Sequence, residues 1–457
     1  MPGIFANIYD LLIFLFVLSV LIIVHEWGHF ITAKKTGVEV KRFALGFGPK
    51  LFSRVFQGTE FAICLIPLGG YVKMSGDEKG ETTGAEGEFL SKPPGKRALI
   101  ILNGSVVNYI FAYVCLLLVF MIGHPGESTR VADVYDNGPS AKAGLRVGDK
   151  IIAVNGKRVY GWNNLMRNLE GRGQQELKID VQREGKTLSA VVFPDVIEKT
   201  DILGNKIFAR DLGIENVSNS ISGVVSGYPA ELAGLQKGDR IIEVNGVVVR
   251  GWKGIQKNID VSRESYISVK IDRAGAIFDK KINPKIVSFK DEKGNVKESR
   301  KIGIIPEYEY DTFRFGFLES VLYSFDELFY ITESTYKTIL KLIVGSKTAR
   351  EAVAGPVLIF TIVKGAAEEG VAHVIFIMGV ISASLAIFNL LPVVPLDGGH
   401  LFLLGIEKIR GKPLSNKADE VLGKIGFALI IFLAVIVFFS DLSRIGFIDK
   451  VMGLFTK

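Results

Sequence analysis

A chain of 457 residues has room for two or three domains, and 48% apolar content with a mean hydropathy of +0.31 is too apolar for an ordinary soluble protein yet too polar for a pure bundle of spans. The net charge of +7 is spread along the chain, and the absence of a lysine-arginine block excludes a nucleic-acid footprint. Two cysteines, Cys64 and Cys115, lie far apart in apolar surroundings and exclude a disulfide framework and a cysteine-based zinc site.

Residues 9–32 are long and apolar enough to cross a bilayer. Residues 1–10 lack a basic leader and no small-residue cleavage site follows, so this stretch reads as a retained span, not a signal peptide. It ends in His25-Glu26-Trp27-Gly28-His29, the H-E-x-x-H pattern. On a helix the two histidines project from one face and can grip one zinc ion. Glu26 lies about 100° round from His25, placed to act as a base beside the metal without ligating it. Two imidazoles and a carboxylate at membrane depth cost several kcal/mol unless they are paired or metal-bound.

Three more stretches qualify as spans: residues 98–122, interrupted by Asn103, Gly104, Ser105 and Asn108, then 371–391 and 425–439. The loop after the first span carries Lys34, Lys35, Lys41, Arg42, Lys50, Arg54 and Lys73, with Lys92, Lys96 and Arg97 at the mouth of the second. Lys408, Arg410, Lys412, Lys417 and Lys424 lie between the third and fourth. The excess of basic residues places both loops in the cytosol and the termini and long central segment outside; Arg444, Lys450 and Lys457 oppose this but are outnumbered.

Within the first loop, short apolar segments bounded by Gly and Pro predict strands and turns beside the membrane, either a small structural sheet or an edge that holds a substrate backbone. Residues 76–91 are acidic and Gly-rich and read as a flexible loop. Further on, residues 139–162 align with 229–252 at a constant offset of 90: Ala143-Gly144-Leu145 with Ala233-Gly234-Leu235, Gly148-Asp149 with Gly238-Asp239, Val154-Asn155-Gly156 with Val244-Asn245-Gly246. The register persists to Arg183 and Gly185 against Arg273 and Gly275. Each copy resembles a bacterial PDZ domain, which implies binding of extended peptides or C-termini, or service as a spacer or steric filter. Residues 313–343 carry apolar residues at helical spacing, among them Phe317, Val321, Phe325, Leu328, Ile331 and Ile339. They predict a helix on the outer membrane surface or packed beneath the repeats, or else an amphipathic core helix.

The third zinc ligand is sought where two prolines and paired glycines break the third span, in Asn389-Leu-Leu-Pro392-Val-Val-Pro395-Leu396-Asp397-Gly398-Gly399-His400. Asp397 is the sole acid between Glu369 and Glu407 and falls at the depth of His25 and His29. Asn389 is placed to hydrogen-bond a substrate carbonyl or a developing oxyanion. His400 reads as a cap or a supporting residue, His124 and His373 as interfacial residues on the opposite side.

These motifs together resemble the site-2 intramembrane metalloproteases, and the tandem PDZ pair with four spans resembles the regulator-of-sigma-E type. The resemblance covers essentially the whole chain. It implies zinc bound by His25, His29 and Asp397, Glu26 as general base and acid, and a membrane-associated β element at Phe47-Gly48-Pro49 and Leu68-Gly69-Gly70. Asn389, Pro392, Gly69 and Gly70 are the residues expected to touch substrate. The implied substrates are single-span proteins already trimmed outside, typically an anti-sigma factor, and remnant signal peptides, handled in a bacterial inner membrane with the PDZ domains periplasmic. The expected fold is an α-helical transmembrane bundle of four spans with a membrane-associated β element, plus two β-rich PDZ domains. Its parts are residues 1–125, 126–220, 221–308, 309–350 and 351–457. A membrane-anchored PDZ scaffold with no metal would explain the repeat but leave His25, Glu26, His29 and Asp397 without a purpose.

Overall fold

A computed structural model describes residues 8–78, 80, 82–171, 173, 175–200, 206–290, 296–344 and 353–444. Lys450 and Lys457 lie outside them, as does the end of the expected 309–350 region. The chain forms two compact units, residues 1–124 with 314–457, and residues 125–313.

In the first unit, four helices are long and apolar enough to cross a membrane: α1 (Ile8–Lys35), α2 (Pro94–Ile122), α9 (Val371–Asn389) and the stretch Lys417–Ser443 within the last helix. Three of the four stretches expected from the sequence lie within helices that run further into their polar flanks, and the third, 371–391, overruns its helix by two residues. Val17, Leu21, Cys115, Val363 and Met378 form one buried cluster that joins α1, α2 and α9 to a short helix, Pro356–Glu369, that the sequence does not announce. This helix, α8, is held by Asp10 pairing with Lys364 at 2.9 Å and by Asp441 accepting from the Leu358 N–H at 3.0 Å.

Between α1 and α2 lies a sheet of two long bent strands, β1 (Val40–Phe56) and β2 (Thr59–Met74). Phe43 pairs with both Val72 and Phe61, so the first half of β1 is sandwiched between the two halves of β2, while Phe52 to Phe56 pair with Ile63 to Thr59. Glu60 sits between Lys50 and Arg42, whose side chains hold its carboxyl down to about 2. Val38, Val40 and Met74 bury against Ala33 and Ile100, which docks the sheet at one end of the α1–α2 pair.

The structure corrects two expectations. Residues 83–91 are organised about a buried carboxylate: Glu88 accepts from the Thr83 N–H and hydroxyl, the Gly84 N–H and the Ser91 hydroxyl, at 2.6–3.3 Å. Acidic, Gly-rich composition suggested flexibility, but this acid is the scaffold of its own loop. The second concerns the helix after the repeats. α7 (Phe317–Val344) packs along α2 and α9, with Leu328 and Ile331 against Ala112, Leu116 and Ala383, and Tyr109 bonded to Thr332 at 2.7 Å. Its faces are reversed relative to a soluble helix. Ser320, Ser324 and Glu327 are buried, whereas Leu318, Leu322, Phe325 and Phe329 are exposed. That pattern suits lipid outside and helix neighbours inside, so α7 packs as a member of the bundle.

The second unit holds the two repeats. Each contains a four-stranded antiparallel sheet, in the orders 157–158, 150–154, 177–183, 186–192 and 247–248, 240–244, 267–273, 276–282. Helices α3 (Pro139–Lys142) and α4 (Trp162–Asn168) serve the first copy, α5 (Pro229–Leu232) and α6 (Trp252–Val261) the second. Asn155 and Asn245 both adopt φ 50° ahead of a positive-φ glycine, the geometry of a tight hairpin turn. The repeat runs further than the sequence match. Each copy adds a hairpin, Asp195–Thr200 with Lys206–Asp211 and Lys285–Lys290 with Val296–Lys301. Arg210 donates to the Asn168 and Leu169 carbonyls beyond α4, and Arg300 donates to the Ser262 and Glu264 carbonyls beyond α6.

The shared Gly-Asp turn is locked by an arginine 34 residues later: Arg183 grips Asp149 at 2.6 Å and the Gly144 carbonyl at 2.8 Å, and Arg273 repeats this on Asp239 and Gly234. Burial opposes the charged carboxylates, yet the guanidinium bonds prevail and hold both aspartates below their ordinary value of 3.8. A depressed carboxylate contributes stability above its unfolded pKa and loses it as pH falls through the folded value. Acidification below 3.8 should therefore open the repeats. Breaking a buried pair costs about 3–5 kcal/mol, and the partly solvated guanidinium reduces this to about 2 kcal/mol for Arg183→Ala. Hydrogen exchange at 150–154 and 177–183 in the intact protein measures both effects.

Candidate metal centre

Three elements converge on one point. α1 contributes His25 and His29, one turn apart, with ring centroids 4.7 Å apart and planes at 88°. α10 (Asp397–Arg410) contributes Asp397 from its first turn. The Nε2 atoms of His25 and His29 are 3.2 Å apart, and Asp397 Oδ2 lies 3.3 Å from the first and 3.5 Å from the second. A tetrahedral zinc with ligands at about 2.0–2.1 Å spaces them about 3.3–3.4 Å apart, so the triangle has the size the ion requires. Asp397 Oδ2 is buried with no hydrogen-bond partner, an orphan that a cation would satisfy. Among the described residues this is the one group of three or more side chains able to hold a metal.

α2 orients the histidines. The His29 Nδ1–H donates to the Ile100 carbonyl at 2.9 Å, which leaves the Nε2 lone pair facing the centre. Both rings press on Gly104, where a Cβ would sit 2.4 Å from His29 and 2.9 Å from His25. Across the same crossing, a Cβ on Gly28 would lie 2.3 Å from the Asn103 carbonyl. The Asn103 amide ties this contact by donating to the Gly28 carbonyl and to Thr32 Oγ1, at 3.1 and 2.6 Å. In the sequence Asn103, Gly104 and Asn108 read as mere interruptions of a span; polar and small residues inside such a span were the available signal.

Asp397 owes its position to the glycines after it. α9 ends at Asn389, the chain turns through 390–396, and α10 starts back at once. A Cβ on Gly398 would come 2.2 Å from the Leu390 carbonyl, and one on Gly399 2.4 Å from the Val394 nitrogen. Only a first turn without side chains fits against the returning strand of chain. Asp397 thus lies at the start of a separate helix, where the sequence placed it at the end of a broken span. At α10's far end Arg97 pairs with Glu407 and fastens the helix to α2.

Glu26 lies against the sheet at Gly70. Gly70 is the adjoining residue: a Cβ there would meet Ile22 at 2.7 Å and Glu26 Cγ at 3.2 Å. Asn389 places Nδ2 3.4 Å from His25 Nε2. Of the other residues expected at the site, Gly69 takes φ 111° beneath the Phe47 ring, and Pro392 is exposed in the turn before α10. His400 is exposed, His124 packs on Phe120 and Phe376, and His373 pairs with Glu369; none joins the three ligands.

The model of peptidase family M50 matches residues 13–433. The chain belongs to that family. Relatives agree over nearly their full length. The peptidase is 35% identical to the regulator of sigma-E protease RseP of Salmonella typhimurium and 34% identical to that of Escherichia coli, covering 96% of this chain and 99% of each relative. A protein named as a zinc metalloprotease from Vibrio cholerae is 31% identical over the same shares. The peptidase is accordingly a zinc metalloendopeptidase of the site-2 type.

Proposed function

We propose that the peptidase cuts single-span membrane proteins within their membrane segment, at a zinc ion held by His25 Nε2, His29 Nε2 and Asp397 Oδ2. The observation that carries this reading is the triangle of donors, 3.2–3.5 Å on each edge, beside a glutamate that stays outside it. When bound, zinc polarises the scissile carbonyl and lowers the pKa of a water toward about 7. Glu26 takes that water's proton on its carboxylate and returns it to the leaving amine. Asn389 aims its amide N–H at the oxygen of the carbonyl under attack. Gly70 lets the strand Gly70 to Met74 pack closely on Ile22 and Glu26 of α1, which keeps a backbone able to pair with an unwound substrate segment beside the catalytic glutamate.

The basic loops support an inner-membrane topology with the centre near the cytosolic face and the repeats in the periplasm. In this reading the repeats are PDZ domains that act as a size filter or bind peptides. The natural substrates are an anti-sigma factor trimmed on its outer side, and remnant signal peptides; the names of the relatives that regulate sigma E support the first. The test sets a tagged single-span substrate, intact or lacking its outer domain, against the whole peptidase and against one lacking residues 126–306. The whole peptidase should cut only the trimmed substrate, inside its membrane segment, and the deleted form should cut both. An intact substrate left uncut by the deleted form would refute the filter, and a cut mapped outside the membrane segment would refute the intramembrane reading.

A further inference from the structure

We propose that Asn108 is the positioning residue for His25: its side-chain oxygen accepts the His25 Nδ1 proton and so keeps Nε2 turned to the metal. Asn108 lies on α2, one turn after Gly104, and is fully buried. Its Nδ2 stands 3.4 Å from His25 Nδ1, its Oδ1 has no hydrogen-bond partner, and its backbone carbonyl accepts from Ser382 Oγ at 2.8 Å.

The tautomer decides which end of the amide faces the ring. His25 Nε2 is the nitrogen that meets His29 and Asp397, so it must be the lone-pair nitrogen when a metal binds. The proton of the neutral imidazole then resides on Nδ1, and an N–H directed at an amide NH₂ sets two donors against each other. Turning the amide by half a rotation brings the orphaned oxygen onto that proton, and the two ends of an amide occupy nearly the same space. His29 shows the matching arrangement, with Nδ1 bonded to the Ile100 carbonyl. One histidine is thus fixed by a backbone oxygen and the other by a side-chain oxygen, both from α2. Unlike a carbonyl of the helix, the side-chain oxygen can be removed by substitution.

The inference rests on His25 being a zinc ligand, and His25→Ala is the control that keeps the two claims apart. If His25→Ala binds zinc like the wild type, the ligand assignment has failed; the Asn108 claim is judged by Asn108 variants. Zinc affinity is measured on the detergent-solubilised peptidase by competition with a chromophoric chelator, and the cobalt-substituted protein supplies a visible spectrum. Loss of an outer partner to a metal-bound histidine weakens metal binding about 10–100-fold. Asn108→Leu, of similar volume and without an acceptor, should bind zinc at least about tenfold more weakly and shift the cobalt bands. Asn108→Asp keeps an acceptor and should bind like the wild type or more tightly. Wild-type affinity in Asn108→Leu would overturn the proposal, and so would equal weakening in both variants. Thermal unfolding of the metal-free proteins closes the remaining route: if Asn108→Leu is destabilised as much without zinc as with it, Asn108 serves packing alone and the proposal is wrong.

Discussion

Glu26→Gln is expected to bind zinc like the wild type and to lose cleavage by about 10²–10⁴-fold, the range that removal of a general base costs. Glutamine matches glutamate in volume, so the close packing of α1 on the sheet at Gly70 survives. The three donors converge without Glu26, which leaves the metal site intact. What disappears is an oxygen that can take and return a proton. Zinc content by atomic absorption and cleavage of a tagged single-span substrate give the two readings. Normal cleavage would remove Glu26 from the mechanism. Loss of zinc together with cleavage would show that the residue supports the metal, and the base would have to be sought elsewhere.

The three side chains that converge were legible in the sequence as candidates. His25 and His29 had to share a helix face, and an acid had to reach their depth, so Asp397 stood out as a lone carboxylate in a broken apolar helix. What supports those residues was not legible. Gly104 and Asn108 acquire meaning only from the helix that crosses them. The helical spacing of α7 is plain in the sequence, but its orientation follows only once the medium outside it is known. Burial of Ser320, Ser324 and Glu327 with Phe325 and Phe329 exposed is the reverse of what water outside would produce. Glu88 illustrates a different limit. Composition suggested a flexible acidic loop, whereas four donors gather on one carboxylate and organise residues 83–91 around it. The repeats were legible as far as turn chemistry demands particular residues, in Gly-Asp and Asn-Gly. The added hairpins escaped because few paired positions there are identical, although Arg210 and Arg300 keep the same role.

The glycines after Asp397 should matter to zinc as much as the ligand they follow. In Gly398→Ala the new methyl group would lie 2.2 Å from the Leu390 carbonyl, closer than any real contact, and the obstacle is backbone that cannot rotate aside. α10 must therefore lift from the turn at 390–394 and carry Asp397 with it. Displacement of a positioned group by about 1 Å costs about 100-fold in rate, and a triangle with edges of 3.2–3.5 Å has no slack for such a move. Zinc affinity should fall together with cleavage, in contrast to Glu26→Gln, where cleavage alone falls. Gly405→Ala is the control on the same helix: nothing lies within 4 Å of the added carbon, and alanine is the better helix former by up to about 1 kcal/mol. It should leave metal binding and cleavage unchanged and raise the unfolding temperature slightly. If Gly398→Ala kept full zinc affinity, the third ligand would not depend on the tight return of the chain, and the paired glycines would have no part in placing Asp397. If Gly405→Ala also lost zinc, general disturbance of α10 would explain both results.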